Sequence, residues 1–328
     1  MTSPRFDLLG IGNAIVDVVA AVGDDFLSRH DMRKGSMALI DADQAARIYA
    51  AMPAGQESSG GSAANTCAVA AGFGARVAYL GKVADDQLGG VFAHDIRAAG
   101  VHFPTAPLAG GAPTARCLVL VTPDGQRTMN TFLGACTSLG EADVPEALVA
   151  AAAFLYLEGY LFDPPAAQAA FRRAAAAAHA AGRQVALSLS DPFCVDRHRA
   201  AFRALVANDV DILFANEAEI CSLYECNDFA DAAAAARRDV GLACLTMSER
   251  GSLVLRGAET IEVAAEPVAL VDTTGAGDAY AAGFLAALAA GRPLASCGRL
   301  ASLAAASVIA DWGARPRGDL RELAARAG

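Results

Sequence analysis

Val271-Asp272-Thr273-Thr274-Gly275-Ala276-Gly277-Asp278-Ala279-Tyr280-Ala281-Ala282-Gly283-Phe284 follows on an apolar run at residues 268–271 and leads into an Ala- and Leu-rich segment. An apolar run, small residues and then helix formers predict a strand, a tight glycine turn and a helix N-terminus. The first N–H groups of a helix lack intrahelical acceptors and sit at the positive end of its dipole, which makes them an anion site. Gly275, Ala276 and Gly277 carry little bulk, so a phosphate can approach those N–H groups closely. Asp278 places a carboxylate beside the same point. A carboxylate repels a resting phosphate, so its presence points to a proton removed during reaction. The stretch reads as a site for phosphoryl transfer to a hydroxyl; the plainer reading is a glycine turn whose Asp caps a helix.

Working outward, strands at 154–157, 184–189, 210–214 and 242–247 alternate with helical stretches after Pro165, Arg197, Glu217 and Asp228. That alternation predicts a mostly parallel sheet covered on both faces. Residues 6–12, 15–22, 35–40 and 77–83 also have strand character, and helices are expected over 63–71 and 85–99. The turn Thr122-Pro123-Asp124-Gly125 joins runs at 115–121 and 127–132 into a hairpin, and 252–266 reads as a second one. The early strands and the first hairpin do not fit the alternation. They predict a small sheet projecting from the body, a lid of segments about 14–22, 35–41 and 113–132 within a single domain over residues 1–328.

At 328 residues and 33.4 kDa the chain can bury a large core. Mean hydropathy is +0.33, driven by alanine, and no run of about 20 bulky apolar residues is present, so no membrane span is expected. The N-terminus lacks a secretory pattern, and the eight cysteines sit mostly in apolar segments without C-x-x-C pairing. A cytoplasmic protein with free buried thiols is the expectation. Net charge is −10 and lysine occurs only at Lys34 and Lys82, which excludes a basic stripe for nucleic acid. Gly10-Ile11-Gly12-Asn13-Ala14-Ile15 breaks the dinucleotide fingerprint at its third glycine, and no P-loop lysine motif occurs.

Asn13 and Asp17 lie close to the C-terminal end of the first strand, where open α/β sheets bind ligands. Asp17 sits among Ile15, Val16, Val18 and Val19, so it is either a solvated outer-face residue or the partner of a hydroxyl pair. Gly60-Gly61-Ser62-Ala63-Ala64-Asn65 starts a helix with room for a ligand to pass, and Asn65 offers a donor and an acceptor. Asn216-Glu217-Ala218-Glu219 is an acidic helix start behind a strand, and Thr246-Met247-Ser248-Glu249-Arg250-Gly251 follows another strand end.

Taken in order, these motifs resemble the ribokinase-like (pfkB-type) family of sugar and nucleoside kinases over residues 10–316. The resemblance implies a ribokinase-like α/β three-layer sandwich with a mostly parallel central sheet and a small β-sheet lid. It implies an ATP-dependent transfer to an alcohol, with Asp278 as base and Gly275, Ala276 and Gly277 stabilising charge. Asn13, Asp17, Gly60, Gly61 and Asn65 would bind the acceptor. Asn216, Thr246, Gly251, Thr274, Gly277 and Gly313 would hold ATP, and Glu219 with Asn216 would organise Mg²⁺ through water. Ser248 stands where the family's nucleotide loop carries glycine, and Ala84 where Gly-Asp-Asp is common. The resemblance also implies a monovalent cation such as K⁺ held by carbonyls around Asp272, Thr274 and Gly313. Gly12-Asn13-Ala14-Ile15-Val16-Asp17, Gly35-Ser36-Met37 and Gln126-Arg127-Thr128-Met129 resemble adenosine-kinase-type members. Met37 and Met129 would then meet a purine, or serve as ordinary packing residues, and Arg127 would reach the transferring phosphoryl group. The expected acceptor is the 5′-hydroxyl of adenosine; the alternative is a sugar kinase acting on ribose, fructose or a keto-sugar acid. The expected partners are that small molecule alone, on a monomer or homodimer.

Overall fold

Most strands of this chain are continuous apolar runs, the pattern of strands buried on both faces. In the computed structural model, which describes residues 3–327, the strands are β1 (Phe6–Ile11), β2 (Ile15–Ala21), β3 (Met37–Leu39), β4 (Gln56–Gly60), β5 (Val77–Leu80), β6 (Val101–His102), β7 (Ala115–Val121), β8 (Arg127–Phe132), β9 (Ala152–Glu158), β10 (Gln184–Ser188), β11 (Ile212–Asn216), β12 (Leu242–Thr246), β13 (Ser252–Arg256) and β14 (Glu259–Val263). Among the described residues they form a nine-stranded sheet, β14-β13-β12-β11-β10-β9-β1-β5-β6, and a five-stranded sheet, β3-β8-β7-β2-β4. The large sheet is parallel from β12 through β6 and ends in the antiparallel hairpin β13–β14.

Alternate residues of each parallel strand enter two cores. Leu8, Tyr156 and Phe214 face the helices Ser62–Gly72, Ala276–Ala289 and Leu294–Ile309. Leu9, Ile11, Leu155 and Leu213 face Pro165–Ala180, Pro192–Asp209 and Phe229–Asp239. The alanine content has a packing reason. A Cβ on Gly283 would lie 2.9 Å from the Leu300 carbonyl, so the helices Ala276–Ala289 and Leu294–Ile309 approach nearly backbone to backbone. Phe284, fully buried, contributes about 1.5–3 kcal/mol by leaving water.

The parallel strands all point the same way. Their carboxyl ends therefore bring Asn13 (after β1), Glu158 (β9), Asn216 (β11) and Thr246 (β12) to one edge of the sheet. The small sheet rises beside that edge. Its outer face, with Val16, Val18, Leu118 and Leu120, packs on Phe26, Leu27 and Ile48 of the helices Asp24–Arg29 and Ala42–Ala51. The inner face looks over the carboxyl edge.

Three expectations change. Residues 268–271 are not a strand: Val268, Leu270 and Val271 are exposed, and the segment loops past the sheet after Pro267. Asp17 lies in the middle of β2, inside the small sheet, rather than at the end of β1. The small sheet also holds a strand that sequence reading missed, β4 (Gln-Glu-Ser-Ser-Gly), whose polar letters carry no strand signal but whose backbone pairs with β2.

Candidate active site

The glycine turn forms because Gly275 takes φ +77°, and a side chain there would run into the backbone of Ala314, 2.5 Å from its oxygen. Gly275 is thus the N-cap of the helix Ala276–Ala289. The helical ladder begins with Ala279 N–H donating to Gly275 O at 2.9 Å. Ala276 N–H already donates to Thr273 O at 3.2 Å, which removes it from the anion site expected of it. Gly277 and Asp278 supply the N–H groups left over, and a Cβ on Gly277 would meet no atom within 4 Å. Open space at that N-terminus suits a phosphoryl group.

Asp278 accepts a hydrogen bond from Ser62 Oγ at 2.6 Å, and the amide of Asn65 also bonds to it. Burial pushes its carboxyl up to about 6, with Asp17 raising it further and Arg315 opposing. Ser62 is delivered by Gly61, whose φ of +93° turns the chain from β4 into the helix Ser62–Gly72; a Cβ there would lie 2.1 Å from Asn13 O. Gly60 presses its backbone against Asp17, where a Cβ would come within 2.3 Å of the carboxylate.

Glu158, which the sequence reading passed over, anchors the floor. Its Oε1 accepts from Asn13 N at 3.2 Å and Asn13 Nδ2 at 2.7 Å, and Oε2 from Ala63 N at 2.7 Å. Burial pushes it up to about 7 even against those three donors. Asn13 is therefore spent on Glu158 and is 2 % exposed, so it braces the site from below instead of lining it. Glu158 was findable: it ends an apolar run just before Gly159, the position that also singled out Asn216 and Thr246. Asn65 is likewise buried, and its Oδ1 accepts from Arg315 Nε at 2.9 Å.

Asn216 and Glu219 form a reciprocal capping box on the helix Glu217–Tyr224. Asn216 Oδ1 accepts from Glu219 N at 2.9 Å, and Glu219 returns its carboxylate to Asn216 N at 3.0 Å and Nδ2 at 2.6 Å. Burial pushes Glu219 up to about 7, and the charges acting on it, Asp191 and Asp278, are both negative. A buried oxygen donor among uncompensated negative charge fits an outer-sphere Mg²⁺ role. Thr246 ends β12 opposite Ser252, and Gly251 takes φ +88° where the chain turns into β13. Ser248 adopts φ +52°, the left-handed conformation for which glycine is suited.

Between the small sheet and the body lies a cleft of about 130 Å³. Register sets its roof: Val19 opposes Val119, Val119 opposes Met129 and Met129 opposes Met37, one apolar row on the inner face. Met37 ends that row at the sheet edge, 55 % exposed. The next row carries Asp17, paired with Cys117 and Ser58. Burial pushes Asp17 up to about 6, opposed by Arg315 and Arg127. The body contributes Thr274, Gly313 and Ala314 to the cleft.

Arg127 crosses from β8 to pair with Asp272 and to donate to Thr274 Oγ1 at 3.3 Å. Its guanidinium is thus tied to the glycine turn rather than held free over the phosphate position. Asp272 also accepts from Thr274 N at 3.0 Å, Thr274 Oγ1 at 2.7 Å and Gly313 N at 3.1 Å. Both oxygens of the Asp272 side chain are thus taken by N–H and O–H donors and a guanidinium.

Residues 35–318 match the family model described as pfkB family carbohydrate kinase. Among solved structures, adenosine kinase from Sinorhizobium meliloti is 52% identical, with a TM-score of 0.90 over 99% of this chain and 100% of that one. A probable sugar kinase from Rhizobium etli is 48% identical, with a TM-score of 0.91 over 99% of each chain. Adenosine kinase 1 of Arabidopsis thaliana is 29% identical over 94% of this chain and 96% of its own length. No helix of the described residues is long and apolar enough to cross a membrane.

Proposed function

We propose, from the premise that this chain belongs to the pfkB family of carbohydrate kinases, that it transfers the γ-phosphoryl group of ATP to the 5′-hydroxyl of adenosine. The observation that carries the nucleoside over a free sugar is the apolar row Val19–Val119–Met129–Met37 beside the Asp17 row. A purine has a flat face for thioethers and valines to cover, whereas a sugar has polar groups around its ring. Asp17 lines the same cleft and would accept from ribose hydroxyls, and the likeness to an adenosine kinase 52% identical along the full chain supports the same acceptor.

Asp278 takes the acceptor proton, and the N–H groups of Gly277 and Asp278 face the charge that moves between the oxygens. The base has modest work early on, because a loose phosphoryl-transfer transition state needs little prior deprotonation. Glu219 and Asn216 would hold Mg²⁺ through water, and the ion would supply positive charge against the phosphates. Thr246 and Gly251 would hold the nucleotide, with Thr274 and Gly313 between it and the acceptor cleft that they also line. Arg127 turns from Asp272 toward the phosphoryl group, and closure of the small sheet keeps out water that would otherwise accept it.

The test is ADP release from ATP and Mg²⁺ with adenosine, inosine, ribose or fructose, with the product located by ³¹P NMR. Adenosine is expected to turn over fastest and to give the 5′-monophosphate. Turnover of ribose or fructose with none of either nucleoside would replace this reading by a sugar kinase.

A further inference from the structure

We propose that Arg315 is a positioning residue for the transfer, orienting the amide of Asn65 toward the Asp278 carboxylate while it ties the loop after the helix Leu294–Ile309 to strand β4. The proposal rests on the kinase reading above and concerns a side chain to which the sequence reading gave no role of its own.

Arg315 points its guanidinium into the site, with 24% of the side chain exposed. Its Nε donates to Asn65 Oδ1 at 2.9 Å, and Nη2 donates to the carbonyl of Ser59 and to its Oγ at 2.9 Å. Nη1 stands 3.5 Å from Asp95 Oδ2. Asp95 in turn accepts from Ser59 N at 2.8 Å, so the far end of the fork is itself fixed. An amide whose oxygen is claimed by a donor must present its NH₂ the other way. The Asn65 amide bonds to Asp278, while Ser62 Oγ holds the same carboxylate at 2.6 Å. The planar fork therefore decides which end of Asn65 the base meets. A lysine would bring the charge without the fixed geometry.

The same loop touches the rest of the machinery. Gly313 N–H bonds Asp272, and Ala314 is the backbone against which Gly275 packs. Three consecutive residues thus join the glycine turn, the base and the acceptor sheet.

The electrostatics agree with the geometry. Asp278 is faced by Asp17 from β2 and by Glu158 and Tyr156 from β9. Tyr160 faces it from the turn after β9, and Glu219 from the helix Glu217–Tyr224. Arg315 is the cation that lowers Asp278, and its own neighbours are Asp95, Asp17 and Cys67.

The test measures kcat against pH from 5 to 9 for the full chain and for Arg315→Met and Arg315→Lys, with saturating adenosine and ATP. For Arg315→Met the acid limb is expected to move up by about one pH unit, the scale of losing a nearby opposite charge. Its plateau is expected to fall at least tenfold. Arg315→Lys should keep the acid limb near the wild-type position and still lose rate, since it retains charge and lacks the fork. Asn65→Leu should cost little more in the Arg315→Met background than Arg315→Met alone. An unmoved acid limb with kcat within twofold of wild type would overturn the proposal. Should Arg315→Met fail to fold by circular dichroism, Arg315→Lys decides, and wild-type kcat in that variant overturns it. A wild-type chain that releases no ADP with any acceptor overturns the kinase reading and this proposal with it.

Discussion

Asp278 makes a specific demand on pH. With its carboxyl pushed up to about 6 by burial, the base is protonated below that point, so kcat should rise through about pH 6 and level off above it. Asp278→Asn keeps the acceptor for Ser62 Oγ and removes both base and charge. Steady-state kinetics should show kcat lower by about 10²–10⁴-fold with ATP affinity preserved; retention of more than a tenth of the rate would mean the residue only caps a helix. Ser248 predicts the opposite kind of change. Its left-handed φ of +52° costs of order 1 kcal/mol relative to glycine, so Ser248→Gly should raise the unfolding free energy measured by denaturant titration by up to about that much, less the greater freedom of the unfolded chain. Residues such as Asp278, Gly275 and Gly61 were legible because each lies in a short stretch whose neighbours state its role. The position of Glu158 at a strand end was readable, but its partner Ala63 lies 95 positions away, as Asn65 lies 250 positions from Arg315, and only the fold introduces them.

At the scale of elements, the proposed reaction puts the acceptor against the small sheet. In that reaction, Asp17 on β2 would supply a charge-assisted hydrogen bond to hydroxyls, worth about 1.5–3 kcal/mol. Asp17→Ala should therefore raise the acceptor KM by more than tenfold and leave the KM for ATP nearly unchanged; equal effects on both would make Asp17 structural. The hairpin β7–β8 was visible from its turn letters and alternation, and the parallel strands from their apolar runs. Strand β4 was invisible because pairing with β2, rather than its own propensity, makes it a strand. Residues 268–271 erred the other way: apolar letters predicted a strand, yet the segment joins neither sheet, and the N–H groups of Val271 and Asp272 donate to Ile309 O instead.

For the molecule as a whole, four carboxyls near the carboxyl edge hold protons that the unfolded chain gives up. Asp17 and Asp278 are raised to about 6, and Glu158 and Glu219 to about 7, in each case by burial first. Raised carboxyls contribute stability that is present below about pH 4 and lost as pH climbs through 6–7. Asp7 and Asp86 are lowered, so their opposite contribution changes below about pH 4, outside that window. The melting temperature of the ligand-free chain should thus fall between pH 4.5 and 7.5, at roughly 2–4 °C per kcal/mol lost. The double variant Asp17→Asn, Glu219→Gln should flatten that slope, and an equal slope in both would show that these groups do not set it. The two sheets also differ in what mutation can do to them. Asp278, Glu158 and the glycine turn belong to the large body, whereas the row Val19, Val119, Met129 and Met37 belongs to the other sheet. A lineage can exchange residues in that row one at a time and drift toward a new acceptor, while the inherited chemistry underneath goes on working at every step.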